Sequence, residues 1–485
     1  MGVTLRLSAM ALALVLASAL CAGSAASAAS AALSPGSWVT RAPMQVARFS
    51  LGAAAVNGRI YAIGGNTRSG GGGTLKGPLP VKGGITGVNE EYDPETDTWR
   101  FKTPMPTARM DFAIAAYKGK IYCIGGYAAD GNATGVNEAY DPETDTWETK
   151  APMPTPRWSL QANVANGKIY LIGGYIPDDS GFGGSITNLN EVYDPETDTW
   201  TTAAPILTGT ADYPSAAIDG KIYIIGGLSS SPQSDLNQIY DPKTNTWREG
   251  TRMPNGLRYG AAAATTGANA IKRIYFFSNS ATQIYDPARD KWVIGATIPT
   301  SRFSFAAAVL NDLIYVLGGY TTSYPDGWYS WPYGPTITPH ATNEVYVPFA
   351  YGTRDPTYVP PDTEPPKIAV HSPANKTYHT TSIPLNFTIN EHAKTITYVL
   401  DGGPETPLAG NITLERLAAG VHSITLYAVD LEGNRGASET IYLTIAEASK
   451  PSLALIATAT GTAATATAAT YMLRRRIKRR HQTRI

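Results

Sequence analysis

Cysteine is almost missing from this chain: Cys21 and Cys123 are the only two among 485 residues. Two cysteines build no disulfide framework, and no C-x-x-C or zinc spacing exists. Histidine is scarce as well, six in all, and of these only His340 falls in the first 350 residues. No H-x-x-E-H, nucleophile elbow or P-loop appears, so no catalytic residue, no metal site and no cofactor is expected. Charge is thin, at 16% of residues, and balanced at 39 basic against 39 acidic. The balance hides a division. Residues 474–485 hold seven basic residues and no acid, while residues 7–473 carry 31 basic against 39 acidic, a net −8. A body of that sign excludes nucleic acid as a partner. What is abundant is 47 Gly, 35 Pro and 28 Tyr, the composition of a turn-rich all-β chain. At 43% hydrophobic the chain is not disordered, and its length calls for two or more folded units.

Long apolar runs are confined to the two ends. Arg6 precedes an apolar stretch from Leu7 to Leu20, followed by small residues to Ala32 with sites such as Ala26-Ser27-Ala28. That pattern predicts a secretory signal peptide over residues 1–32; an uncleaved anchor would need a longer run. At the other end, Leu453 to Leu473 is 21 residues without charge, followed by Arg474-Arg475-Arg476. As a helix it would measure about 31 Å, enough for a membrane core, with residues 474–485 as a basic cytoplasmic tail. The eight Ala and six Thr in the stretch leave an Ala/Thr stalk as the competing reading.

Between these ends the sequence repeats. Segments of the form Lys/Arg-Ile-Tyr-x-Ile-Gly-Gly recur at Arg59, Lys120, Lys168 and Lys221, in degenerate form at Arg273, and as Leu313 to Gly319. They alternate with Asn-Glu-x-Tyr-Asp-Pro-x-Thr-x-Thr-Trp, ending at Trp99, Trp147, Trp200, Trp247 and Trp292. Five of these repeats place the first Gly 26 residues after the preceding Trp; after Trp247 the interval to Ser278 is 31, with Ala264 to Ala270 inserted. The interval from Gly to the next Tyr varies from 7 to 28 residues. A rigid half and a variable half in each repeat describe a structural core carrying surface loops.

The diglycine with its spaced Tyr and Trp resembles the Kelch repeat. The resemblance covers Trp38 to about Phe349, and 52 residues per repeat is near the family's ~50. It implies a six-bladed β-propeller over residues 36–350, each blade a four-stranded antiparallel sheet. Glycine suits a strand end that another backbone approaches closely, and Tyr and Trp suit packing between blades. Trp38 has no repeat before it and Tyr346 no Trp after it, so the N-terminal strand is expected to complete the sixth blade and hide the free edges.

A Pro-rich linker over residues 351–366 precedes strand-like alternation from Lys367 to Ile445. The turn at Ala428 to Asn434 resembles the late hairpin of Ig-like modules on prokaryotic surface proteins, which implies a small β-sandwich over residues 367–447 acting as a spacer. Sequons stand at Asn132, Asn375, Asn386 and Asn411.

Candidate binding residues lie where the innermost strand of each blade begins. Arg48, Arg109, Arg157 and Arg302 stand ten residues after a Trp, Arg258 one place later, and the fourth repeat has Thr210. Two roles are open. The guanidinium groups hold carbonyls or the Asp-Pro carboxylates (Asp93, Asp141, Asp194, Asp241, Asp286), or they ring the channel mouth and grip an anion. The latter matches the arginines that bind acidic peptides in Kelch adaptor proteins. The loop of the sixth repeat adds Tyr320, Tyr324, Trp328 and Trp331, an aromatic set suited to a sugar or a protein, unless the loop folds over its own rings. Copper-radical galactose oxidases share the fold but need a Tyr-linked Cys and paired His ligands that this sequence lacks. The reading is therefore a non-catalytic cell-surface recognition protein for an extracellular protein, glycan or anionic polymer. Its alternative is a sialic-acid-type epimerase or lyase using the arginine ring.

Overall fold

A computed structural model describes residues 33–69, 84–178, 184–229, 234–256, 259–279, 281–323, 336–358, 364–430 and 433–447. The signal peptide, the C-terminal span and the basic tail expected from sequence fall outside them. The described residues are all strand, turn and loop, and none of their segments is a helix long and apolar enough to cross a membrane. They divide into two compact units, with the boundary after Tyr358.

The first unit holds six four-stranded antiparallel sheets. The first comprises Gly52–Val56, Arg59–Ile63, Asn89–Asp93 and Thr98–Lys102, from innermost to outermost strand. The sixth is Ala306–Leu310, Leu313–Leu317 and Asn343–Tyr346, with Trp38–Arg41 as its outer strand, in the register Trp38↔Tyr346 to Arg41↔Asn343. The chain thus closes its ring with its own beginning, as the unpaired Trp38 led us to expect.

Packing between sheets explains the repeated residues. Six apolar clusters each join two neighbouring sheets, and the sixth sheet joins the first through Leu317, Tyr315, Ile60 and Tyr92. The tyrosine of one sheet's second strand meets the tyrosine of its neighbour's third. Tyr61 meets Tyr140 at 5.8 Å between ring centroids, Tyr122 meets Tyr193 at 5.9 Å, and Tyr275 meets Tyr346 at 5.5 Å. Each outer-strand tryptophan lies on the tyrosine beside it and donates its indole N–H to a carbonyl of the chain entering that sheet: Trp99 to Ala42 at 2.8 Å, Trp147 to Thr103 at 2.9 Å. In the first five sheets the turn residue five after that tyrosine adds a second tie. Asp97 accepts both Tyr92 Oη and Ala42 N, and Asp145 accepts Tyr140 Oη and Thr103 N.

The diglycine sits at the junction of two sheets. Gly64 and Gly65 have φ of 64° and 98°, and a Cβ on Gly64 would stand 2.7 Å from the Arg109 carbonyl of the next sheet. The same carbonyl accepts Gly65 N at 2.9 Å. Only glycine meets both demands.

The insertion in the fifth repeat also has a role. Asp312 accepts Thr266 N, Asn269 N and Ala270 N, while Asn269 O and Gly267 O accept Gly352 N and Asp355 N. Residues 351–358, read from composition as linker, are therefore held to the propeller by that insertion.

The second unit packs a three-stranded sheet (Ile368–Ser372, Ile383–Ile389, Ile412–Leu414) and a larger sheet built on Ala393–Leu400, Gly420–Asp430 and Ile441–Ile445 over one apolar core. Alternation sorts the faces: Ile383, Leu385 and Phe387 point inward with Ile424, Leu426 and Leu443. His422 donates Nδ1–H to Asp401 at 2.7 Å and Nε2–H to the Ala418 carbonyl at 2.8 Å. Both acceptors favour imidazolium, so the histidine is held above its ordinary value by the Ala418 and Asp401 bonds, and Asp401 below its own against the cost of burial. The histidine's contribution is complete below about pH 6.5 and is lost as pH rises through its raised value. The aspartate's is complete above about pH 4 and is lost as pH falls through its depressed value. Thermal melts of this unit are expected to weaken from about pH 5.5 to about pH 8, and Asp401→Asn to flatten that slope. A slope unchanged in the variant would remove the pair as its source.

Candidate functional site: the mouth of the channel

The predicted arginines are where the spacing put them, but they face inward. Arg48, Arg109, Arg157 and Arg302 are all 0% exposed. Each pairs with the glutamate of the Asn-Glu motif in its own repeat. Arg48 meets Glu90, Arg109 meets Glu138 at 2.8 Å, Arg157 meets Glu191 at 2.7 Å and Arg302 meets Glu344 at 2.5 Å. Each also donates to a carbonyl of the second strand: Ala62, Cys123, Leu171 and Val316. Burial pulls each guanidinium below its ordinary value, and the paired carboxylate opposes it.

This revises the expectation of an anion-gripping ring for these four, because a guanidinium buried inside its sheet and paired with a glutamate is closed to a ligand in the channel. Of the two roles the sequence left open, the structural one describes these four, with a different carboxylate. The Asp-Pro aspartates instead pair with the basic residue heading each second strand, as in Arg59–Asp93 at 3.1 Å and Lys168–Asp194 at 2.7 Å. Arg258, Tyr324, Trp328 and Trp331 lie outside the described residues. Tyr320 is partly buried between Phe49 and Phe303, with centroids at 4.9 and 5.8 Å, and burial pushes it up to about 12. It serves packing more than presentation. Cys123 is buried beneath Arg109, and its thiol is pushed up to about 12 by desolvation, so it is no nucleophile.

The sequence carried a signal for the Arg–Glu pairs. Where Thr210 replaces arginine, the motif reads Asn237-Gln238, and in the fifth repeat, where Arg258 is out of step, it reads Thr282-Gln283. Gln238 exchanges two bonds with the backbone of Thr208, and Gln283 does the same with Asn255. The charge disappears from both partners together.

Two residues beyond each arginine position the chain turns into the channel. Ser50, Asp111, Ser159, Asp212, Tyr259 and Ser304 all have φ between 50° and 56°. Their backbones form a closed circle of hydrogen bonds: Ser50 N to Ser304 O, Asp111 N to Ser50 O, Ser159 N to Asp111 O, Asp212 N to Ser159 O, Tyr259 N to Asp212 O and Ser304 N to Tyr259 O, at 2.8 to 3.4 Å. This collar rims a cavity of about 70 Å³ lined also by Gln161, Leu160 and Tyr213. Below it the channel widens to about 350 Å³ between walls made largely of alanine, such as Ala54, Ala115, Ala216 and Ala263. Desolvation raises the Asp111 carboxyl to about 6, against a hydrogen bond from Ser50. Desolvation and the charge of Asp111 raise Asp212 to about 7. No group of three or more His, Cys, Asp or Glu side chains able to hold a metal occurs among the described residues.

Residues 50–277 match the KLHDC2/KLHL20/DRC7 Kelch-repeats domain. Kelch-like protein 26 of Danio rerio is 29% identical over 227 residues, 40% of this chain and 29% of that protein. An influenza virus NS1A-binding protein homolog of Mus musculus is 38% identical over 84 residues, 17% of this chain and 11% of that protein. The chain thus spans less than a third of either relative's length. Among solved structures, that of YjhT covers 61% of this chain and 98% of its own, at 16% identity and a TM-score of 0.47. The matching domain and relatives support a Kelch β-propeller.

Proposed function

We propose that this chain is a non-catalytic recognition module that binds a protein partner through the loop face of its propeller. The observation that carries it is the division of labour in each repeat. The arginines on which an epimerase or lyase reading rested are paired inside their sheets, whereas the collar and the variable loops converge on one face. Proteins built on these repeats are typically interaction modules, which accords with that reading. A glycan remains compatible with the aromatic loop of the sixth repeat; an anionic polymer loses its four buried guanidinium partners. We further propose, from the sequence pattern alone, a cell-surface protein with residues 1–32 as signal, an Ig-like spacer over 367–447, one span at 453–473 and an interior tail. The four sequon asparagines are exposed, as glycosylation there would require.

Peptides selected by display against the full chain test the interaction reading. Asp130→Arg and Ser323→Arg, exposed on the loop face, should weaken selected peptides at least ~10-fold, since an added charge in a contact patch costs over 1.4 kcal/mol. Phe101→Ala and Val293→Ala, on outer strands, should leave them unchanged. The reverse pattern would move the binding surface to the outer wall.

A further inference from the structure

We propose that the recess inside the collar is a receptor for one cationic group of a protein partner, a lysine ammonium or an arginine guanidinium, seated between Asp111 and Asp212. The inference deepens the interaction reading and rests on it.

Charge is the first argument. Among the described residues the lining is Ser50, Asp111, Ser159, Gln161, Asp212, Tyr259 and Ser304 with apolar neighbours, so there it holds two carboxylates and no basic side chain. Arg48, Arg109, Arg157 and Arg302 bring no net charge to it, because each faces its own glutamate. The sign of the recess therefore selects a cation and repels a carboxylate, phosphate or sulfate.

Size and chemistry narrow the cation further. At ~10–15 Å³ per water, a cavity of about 70 Å³ admits the tip of a side chain rather than a folded ligand. A divalent metal would need more oxygens of higher charge than two aspartates supply, and the collar places only two acids on the rim. A guanidinium or ammonium instead needs acceptors spread around it, which the serine hydroxyls and the Gln161 carbonyl provide beside the carboxylates. Tyr259, 40% exposed at the rim, can close over such a cation with its ring face.

The collar itself makes the site rigid. Six left-handed residues tied head to tail by backbone bonds fix where each side chain starts, so binding need not order the backbone of the site. The groups that bear on the two carboxyls are the Ser50 and Ser159 hydroxyls, Tyr175, and each other; Tyr259 and Tyr320 share the same neighbourhood. Both carboxyls titrate high when empty, and a seated cation draws them down, so binding near neutral pH releases protons.

Calorimetry on the full chain tests this with Ac-Gly-Arg-Gly-amide, Ac-Gly-Lys-Gly-amide and the neutral Ac-Gly-citrulline-Gly-amide, in two buffers of different ionisation heat. The cationic probes should bind at least ~10-fold tighter than the citrulline probe at about pH 7.5, weaken at least ~10-fold by about pH 5.5, and release protons. Asp111→Asn with Asp212→Asn should abolish the preference, and the pH series on the unaltered chain keeps the test valid if that variant misfolds. Equal binding of the citrulline probe, or a pH-independent affinity, overturns the proposal. If display-selected peptides still lose binding through Asp130→Arg while both cationic probes fail, the recess proposal falls and the interaction reading stands. If no loop-face binder is selected at all, the interaction reading falls with it.

Discussion

Arg109→Leu is expected to destabilise the propeller by about 3–5 kcal/mol, because it leaves the buried Glu138 carboxylate without its counter-charge. Thr107 Oγ1 still donates to Glu138 at 2.8 Å, but a neutral hydroxyl does not replace a guanidinium. The carbonyls of Cys123 and Val136 lose donors in the same step. The fourth repeat supplies the rescue. There Thr210 and Gln238 stand in the same places, with Thr210 Oγ1 donating to the Gly226 and Leu228 carbonyls. Arg109→Thr combined with Glu138→Gln should therefore recover most of the loss and sit within about 1–2 kcal/mol of the unaltered chain. Denaturant midpoints of the two single variants and the double variant measure the coupling. Simple additivity would mean that the pair is two independent residues and that the fourth repeat owes its stability to something else.

That expectation also shows where sequence reasoning stopped. Tyr, Trp and diglycine were legible because every sheet needs the same solution at its junction, so the solution recurs at fixed spacing. The arginine position was legible for the same reason. Its orientation was not, since a charge near a channel mouth suggests solvent until a buried partner is found, and Glu90, Glu138, Glu191 and Glu344 had been absorbed into the repeat motif. Comparing repeats with one another exposes the link, because Thr210 comes with Gln238. The collar left no such trace. Ser50, Asp111, Ser159, Asp212, Tyr259 and Ser304 share a conformation and a backbone role but not a side-chain type, and only closure of the ring brings them together. Residues that hold sheets together repeat. Residues that distinguish a binding surface differ from repeat to repeat, so periodicity passes over them.

Removing residues 33–41 should be more damaging than any single substitution on the propeller surface. The segment contributes the outer strand of the sixth sheet, and without it the strand Asn343–Tyr346 becomes an open edge with unpaired N–H and C=O groups. Trp38 adds more than a ladder. Its ring packs edge-on against Phe277 at 5.3 Å and Tyr346 at 5.1 Å, and its indole N–H reaches the Ala296 carbonyl at 3.1 Å. The same segment leads into Ala42, whose carbonyl accepts Trp99 Nε1 and Asn343 Nδ2 and whose N–H is held by Asp97. The first and sixth sheets are thereby locked from both sides. Trp38→Ala alone removes the aromatic contacts of a half-buried ring and should cost about 2–3 kcal/mol, below the 3–5 kcal/mol or so of a fully buried one. The truncated chain should melt well below that variant and associate with rising concentration, because an exposed edge pairs with another copy. Scattering and melting curves at several concentrations separate the two effects. A truncated chain that stayed monomeric and melted with the Trp38→Ala variant would show that tyrosine and apolar packing between sheets hold the ring without a closing strand. The Asn343–Tyr346 edge would then have to find its partners elsewhere in the molecule.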